Sequence, residues 1–134
     1  MASRLILERT RVMIVEEDWD FGIKLADGFA ARGYHPVLFR FIDAAIAELE
    51  DIRPRAIFGG LQCSEPTMRI DTSEARFLIQ TISSRVPVIT IADAVGEDFT
   101  TVVLRHGVRR FLFRTVHFSE VGNVLQSELH AAVA

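Results

Sequence analysis

Residues 11–20 read RVMIVEEDWD, and this stretch decides the fold class of the chain. Its first half, Arg11–Val15, is a short apolar run of the kind found in strands that are buried on both faces. The acidic residues that follow can cap a helix, because a side chain such as Asp18 or Asp20 accepts hydrogen bonds from free N–H groups of a first helical turn. The stretch therefore predicts a strand that leads directly into a helix.

The same alternation of apolar runs and amphipathic segments continues along the chain. It predicts five strands, each followed by a helix, and such connections give a parallel sheet with helices on both faces. We expect an α/β protein with a doubly wound (βα)5 sheet, whose functional crevice lies at the carboxyl ends of the strands. The predicted strands are 11–15, 35–40, 56–58, 86–91 and 109–114, and the predicted helices are 19–32, one between Asp43 and Pro54, 73–84, 97–106 and 118–132.

Single residues indicate where these elements begin and end. Asp43 is the predicted N-cap of the second helix, which Pro54 stops, and Gly33 supplies the left-handed residue that ends the first helix. In the first helix, Phe21, Leu25, Phe29 and the alanines near them recur at helical spacing. The polar stretch 62–72 reads as a loop.

Length and composition indicate one globular domain. The chain has 134 residues, of which 49% are hydrophobic and 25% charged, so it can bury a core without cross-links. We expect an N-terminal extension at residues 1–10 and a domain at residues 11–132. One cysteine and no signal peptide predict a cytoplasmic protein, and no apolar run reaches the roughly 18 residues of a membrane span. The net charge of −3 argues against nucleic acid as a partner.

Four segments follow one another along the chain: VMIVEED at 12–18, PRAIFGGL at 54–61, VPVITIA at 86–92 and GVRRFLFRT at 107–115. In order and spacing they resemble segments of the receiver domains of two-component response regulators. Receivers have a strand ending in an acidic pair, a strand ending in Asp-Leu, a strand ending in Thr or Ser, and a segment that runs from Gly-Ala to Lys-Pro. The resemblance covers residues 11–129 and implies a flavodoxin-like sheet of strand order 2-1-3-4-5, with a role in bacterial two-component signal transduction.

The chain departs from the receiver pattern at the phosphorylation site. Receivers transfer a phosphoryl group to an aspartate with the help of Mg²⁺, a hydroxyl group and a lysine. The resemblance places the phosphoacceptor on Gly60, which has no side chain, the hydroxyl on Ala92 and the lysine on Arg114. Of the side chains at the phosphorylation site, only the acidic pair is present, as Glu16 and Glu17. These departures predict a pseudo-receiver that acts without phosphorylation and is not an enzyme.

Metal and redox chemistry have weak candidates. Glu16 and Glu17 are a weak Mg²⁺ candidate, because two flexible side chains without a third carboxylate make a poor octahedral site, and we expect no cofactor. The acidic cluster alternatively supplies charge to the helix N-terminus, and Arg114 either pairs with one of the glutamates or points to solvent. Cys63 has no His or Lys beside it in sequence, and the four histidines lack ligand spacing.

A basic run near the fifth strand is the predicted partner surface. Arg105, Arg109 and Arg110 precede Phe111, the aromatic switch position in the resemblance, and in receivers the face of the fourth helix, fifth strand and fifth helix commonly carries dimer and partner contacts. We expect a signalling protein such as a histidine kinase or an output domain, or a second copy of the chain. A solvated charged edge is the simpler interpretation. The alternative function is a domain that senses a nucleotide or another anion through these arginines or Arg114.

Overall fold

The computed structural model describes residues 10–59, 63–64, 69–70, 86–92, 110–113 and 117–133. The predicted helices at 73–84 and 97–106 lie outside these residues. Among the described helices, none is long and apolar enough to cross a bilayer. The elements in chain order are β1 (Arg11–Val15), α1 (Trp19–Ala31), β2 (His35–Phe39), α2 (Ile42–Ile52), β3 (Ala56–Gly59), β4 (Cys63–Ser64), β5 (Arg69–Ile70), β6 (Val88–Ala92), β7 (Arg110–Phe113) and α3 (Phe118–Val133).

Five strands form one parallel sheet in the order β2-β1-β3-β6-β7. Without the two short strands β4 and β5, this is the predicted order 2-1-3-4-5. β4 and β5 pair with each other in an antiparallel ladder, where the sequence predicted only a loop. A polar composition favours a loop but leaves the backbone N–H and C=O groups free to pair locally, so two short strands form there.

Side chains of the central strands alternate between two cores, one on each face of the sheet. The core on the α2 side contains Met13, Val15, Ala45, Leu49, Ile57 and Val88. The core on the side of α1 and α3 contains Val12, Ile14, Leu25, Phe29, Ala56, Phe58, Ile89, Ile91, Val121 and Leu125. Helices therefore cover both faces of the sheet, as the alternating pattern predicted.

The beginning of α1 confirms one predicted cap, whereas the beginning of α2 contradicts another. Asp18 Oδ1 accepts a hydrogen bond of 3.2 Å from the backbone N–H of Phe21, and Gly33 follows α1 with φ 94°. The predicted N-cap Asp43 is wrong, because α2 begins at Ile42 and Phe41 occupies the cap position without a side-chain hydrogen bond. Asp43 is already helical, so its carboxylate adds favourable charge to the first turn instead.

The residues at helical spacing in α1 differ in how far they are buried. Leu25 and Phe29 are buried, and Phe21 is half-buried, as expected. Ala26 is half-buried, and Ala30 is exposed. Ala30 follows Leu25 by five residues, which at about 100° per residue turns it away from the sheet. Ala30 therefore lies outside the inward face of α1.

The end of α1 contacts α3 through Arg32. Its Nη2 donates a hydrogen bond of 3.3 Å to the carbonyl oxygen of Ser119, and its Nη1 donates one of 3.5 Å to Asn123 Oδ1. The guanidinium group lies over Gly122, where a Cβ atom would collide with it. The glycine thus allows the arginine to join the two helices, and the positive charge of Arg32 is directed toward α3.

Candidate functional site

Glu16 is the first residue after β1, at the carboxyl end of the sheet, and it is part of the packed structure. Only 2% of its surface is exposed, and its backbone N–H donates a 2.9 Å hydrogen bond to the carbonyl oxygen of Phe39 on β2. Its Oε1 accepts a 3.0 Å hydrogen bond from the backbone N–H of Asp18. A Cβ at Gly22 would lie 3.4 Å from Glu16 Cβ, so α1 closely covers this side chain. Glu16 therefore holds the turn between β1 and α1.

The acidic cluster after β1, which consists of Glu16, Glu17 and Asp18, has one buried and two exposed side chains. Glu17 and Asp18 are exposed, and Asp18 caps α1, which is the helix-capping role that the sequence allowed. Within the described part of the chain, no group of three or more His, Cys, Asp or Glu residues is placed to hold a metal ion. The two glutamates of the weak Mg²⁺ candidate thus differ in environment, since one is enclosed by α1 and the other is open to water.

The strand register places the last residues of β1 and β3 beside Thr90 of β6, near the carboxyl end of the sheet. Gly59, the last residue of β3, is in register with Val15 on β1 and with Thr90 on β6. Ala92 ends β6 and is in register with Phe113 on β7. Of the remaining predicted site residues, Arg110 and Phe111 belong to β7, whereas Gly60, Arg105, Arg109 and Arg114 lie outside the described residues.

Thr90 is a residue of this region that sequence reasoning missed. Its side chain is fully buried, and its Oγ1 has no hydrogen-bond partner in the described part of the structure. A signal was present, because Thr90 is the one hydroxyl in the apolar run VPVITIA. The resemblance places the hydroxyl position of receivers on Ala92, at the end of the strand. The hydroxyl of this strand belongs to Thr90, which lies two residues earlier and inside the protein.

Replacing Thr90 by valine should raise the free energy of unfolding by about 1 kcal/mol, because it removes a buried hydroxyl that has no partner and keeps the side-chain shape. Thermal unfolding should show a midpoint about 3 °C higher. Thr90→Ala also removes the hydroxyl but leaves a cavity, so it should be destabilising. A lower midpoint for Thr90→Val would mean that the hydroxyl forms a hydrogen bond in solution.

Among the comparisons with known proteins, the comparison with solved structures identifies the fold. No protein-family model and no curated protein matches the sequence. Solved structures do match, among them a CheY-like receiver domain from Methanospirillum hungatei, with a TM-score of 0.76 and 14% identity, covering 92% of this chain and 95% of that one.

Two further structures are equally similar. A two-component response regulator from Clostridium difficile has a TM-score of 0.77 and 16% identity, covering 90% of this chain and 96% of that one. An orphan response regulator of H. pylori has a TM-score of 0.75 and 10% identity, covering 90% of this chain and 96% of that one. With its parallel sheet, strand order and helices on both faces, the chain has the fold of response-regulator receiver domains.

Proposed function

We propose that this chain is a signalling domain that uses the receiver fold without phosphoryl transfer and acts by binding another protein of a two-component system. Gly60 carries the proposal. It follows Gly59, the last residue of β3, where receivers carry the aspartate that accepts the phosphoryl group. A glycine offers no carboxylate, so the acyl phosphate that receivers form has no acceptor at this position.

Among the described residues, those in register with Gly59 do not replace the missing nucleophile. The residues in register with it, Val15 and Thr90, carry no carboxylate. Thr90 has a hydroxyl, but 0% of the residue is exposed, so a phosphoryl donor in solution cannot reach it. Glu16 is also buried and its Oε1 accepts a backbone hydrogen bond. The burial of Thr90 and Glu16, and the hydrogen bond that Glu16 accepts, support a structural role for these two side chains.

Protein binding accounts for a receiver fold that lacks its acceptor. The predicted partner is a histidine kinase or an output domain. We propose neither a cofactor nor an enzymatic step for this chain. The partner surface suggested by the sequence includes Arg110 and Phe111 on β7, the strand at the opposite end of the sheet from β2. Arginine and aromatic residues are among the types that most often dominate binding energy at interfaces.

The test of the proposed function is incubation with acetyl phosphate and Mg²⁺, followed by intact-mass measurement. We expect no phosphorylated species under conditions in which a receiver domain with its aspartate, treated in parallel, is modified. A stable, acid-labile phosphate adduct on this chain would contradict the proposal. Peptide mapping of such an adduct would then identify the side chain that serves as acceptor.

A further inference from the structure

The amino end of the sheet, opposite the predicted crevice, carries a row of basic side chains. Arg11 begins β1 and His35 begins β2, and these two residues are in register. Arg55 directly precedes β3, and its backbone N–H donates a 2.8 Å hydrogen bond to the carbonyl oxygen of Arg11. The three residues therefore lie side by side on neighbouring segments of the chain, about 4.8 Å from one segment to the next.

The three side chains of this row lie on the same face of the sheet. Side chains alternate between faces along a strand, and Met13 on β1 and Ile57 on β3 both belong to the core on the α2 side. Arg11 and Arg55 each precede one of these core residues by two positions, so they share its face. His35 shares the same face because it is in register with Arg11.

Arg53 adds a fourth basic residue at this end of the sheet. It is the C-cap of α2, and its backbone is left-handed, with φ 51° and ψ 61°. This conformation is unfavourable for a residue that has a Cβ atom, and glycine is the usual residue there. An arginine thus stands where glycine would suit the fold better. We refer to the four exposed residues Arg11, His35, Arg53 and Arg55 as the basic edge.

Carboxylates of the described part of the chain do not neutralise the basic edge. None of its four side chains forms an ion pair with a described residue, although the net charge of the chain is −3. Asp51 is near in sequence, but it follows the buried Leu49 by two residues, about 200° around α2, and so faces away from the sheet. Like charges side by side on neighbouring strands are unfavourable, so a bound anion would relieve this repulsion.

Arg11 is held in place for such an anion. Its Nη1 donates a 2.9 Å hydrogen bond to the carbonyl oxygen of Ile52, in the last turn of α2. A guanidinium group has five N–H donors, so this bond fixes the side chain and uses only one of them. Ordering a long side chain before binding lowers the entropy cost of binding a ligand.

A second copy of the chain does not offer a matching row of carboxylates. Helix α2 is the most acidic of the described helices, with the sequence IDAAIAELEDI. Its Glu48 and Glu50 lie about 200° apart around the helix axis, and Asp51 lies a further 100° from Glu50. These carboxylates point in different directions, whereas the row at the basic edge is linear. A ligand with closely spaced negative charges fits it better.

We propose that the basic edge binds an anion made of linked phosphate groups, either an inorganic polyphosphate or the phosphate chain of a nucleotide. Guanidinium groups form paired hydrogen bonds with phosphate oxygens. Linked phosphates bring several charges together, whereas an extended peptide places the side chains of one face about 7 Å apart. The basic edge shares no residue with the arginines near β7 that the sequence suggested for an anion. The inference goes beyond the proposed function and does not depend on it.

Isothermal titration calorimetry measures the binding directly. The probes are tripolyphosphate, ATP and inorganic phosphate at 0.15 M salt, without Mg²⁺, which would bind the phosphate chains itself. Tripolyphosphate should bind about tenfold or more tightly than inorganic phosphate, since it engages several guanidinium groups at once. Equal affinity for tripolyphosphate and ATP would identify the phosphate chain as the whole ligand, and tighter binding of ATP would identify a nucleotide. Both results support the proposal.

Variants locate the binding. Arg53→Gly combined with Arg55→Gln should weaken tripolyphosphate by about tenfold or more. The thermal midpoint of Arg53→Gly alone should be at least as high as that of the wild type, because glycine tolerates the left-handed backbone. A loss of affinity without a loss of stability separates binding from unfolding. The matched control is Lys24→Gln combined with Arg40→Gln, which removes two exposed positive charges elsewhere and should leave the affinity within about twofold.

Four outcomes would overturn the inference. The first is no binding of tripolyphosphate up to about 1 mM, and the second is an equal loss of affinity in the control variant. The third is a loss of binding in Arg110→Gln but not in the variants of the basic edge. The fourth is a wild-type dimer in sedimentation that Arg53→Gly with Arg55→Gln dissociates, which would assign the basic edge to a second copy. Failure of the proposed function is seen separately, as a phosphate adduct in the acetyl phosphate experiment.

Discussion

Replacing Phe58 by alanine is expected to lower the free energy of unfolding by about 4 kcal/mol. Phe58 lies in β3, the middle strand of the sheet, and only 1% of its surface is exposed. Its ring centroid is 4.9 Å from that of Phe29 on α1, so it joins the sheet to the helix that covers it. Alanine would leave a cavity that the surrounding strands cannot close, because the neighbouring backbone is fixed by the sheet.

The matched control for this substitution is Phe41→Ala. Phe41 is 58% exposed, so the same chemical change should alter the free energy of unfolding by no more than about 0.5 kcal/mol. Urea denaturation followed by circular dichroism measures both variants. Similar losses for the two variants would mean that Phe58 is not in the core, and the packing of α1 on β3 described above would then be wrong.

Replacing Glu16 by alanine is expected to lower the free energy of unfolding by about 2 kcal/mol, because the part-buried N–H of Asp18 loses its acceptor and a cavity opens beneath Gly22. Glu16→Gln keeps an oxygen acceptor of the same length and should cost less. Both effects are measurable as shifts of the urea midpoint at constant slope. The loss of unfolding free energy in these two variants would measure how much the Glu16 side chain contributes to the stability of the fold.

Glu17→Ala is the control, since it removes the same type of side chain from the adjacent, exposed position. We expect a change within about 0.5 kcal/mol, as for most surface substitutions. If Glu17→Ala were as costly as Glu16→Ala, the contrast in burial between the two glutamates would not describe the protein in solution. If neither variant changed stability, the turn after β1 would not depend on the Glu16 carboxylate.

The fold was predictable because its signals are local and periodic. Apolar runs such as Arg11–Val15 can be satisfied only by burial on both faces, and strands joined by helices form a parallel sheet. The bounds of α1 followed from Asp18 and Gly33, whose side chain and backbone conformation act on adjacent residues. Asp43 was assigned wrongly as a cap, because the position at which α2 begins depends on how β2 leads into it.

The candidate site was predictable only in part. The register of β1, β3 and β6 places Val15, Gly59 and Thr90 side by side near the end of the sheet where the crevice was predicted, but the contrast between Glu16 and Glu17 is not visible in the sequence. Two adjacent glutamates look equivalent there. They differ because β2 and α1, elements that follow later in the chain, enclose the first and leave the second in water.

The sequence by itself determined that position 60 carries no carboxylate, because a glycine has no side chain in any conformation. It also determined the number of core strands, through patterns that each strand contains within itself, whereas the order of the strands in the sheet was implied by the resemblance to receiver domains. Only the tertiary structure decided which side chains are enclosed and which remain available. Helix α1 is apolar on two sides, and packing against the sheet buries Leu25 and Phe29 but leaves Trp19 and Ile23 exposed. Burial depends on neighbours that are distant in sequence, and for this reason the exposure of Trp19 and Ile23 became visible only in the folded protein.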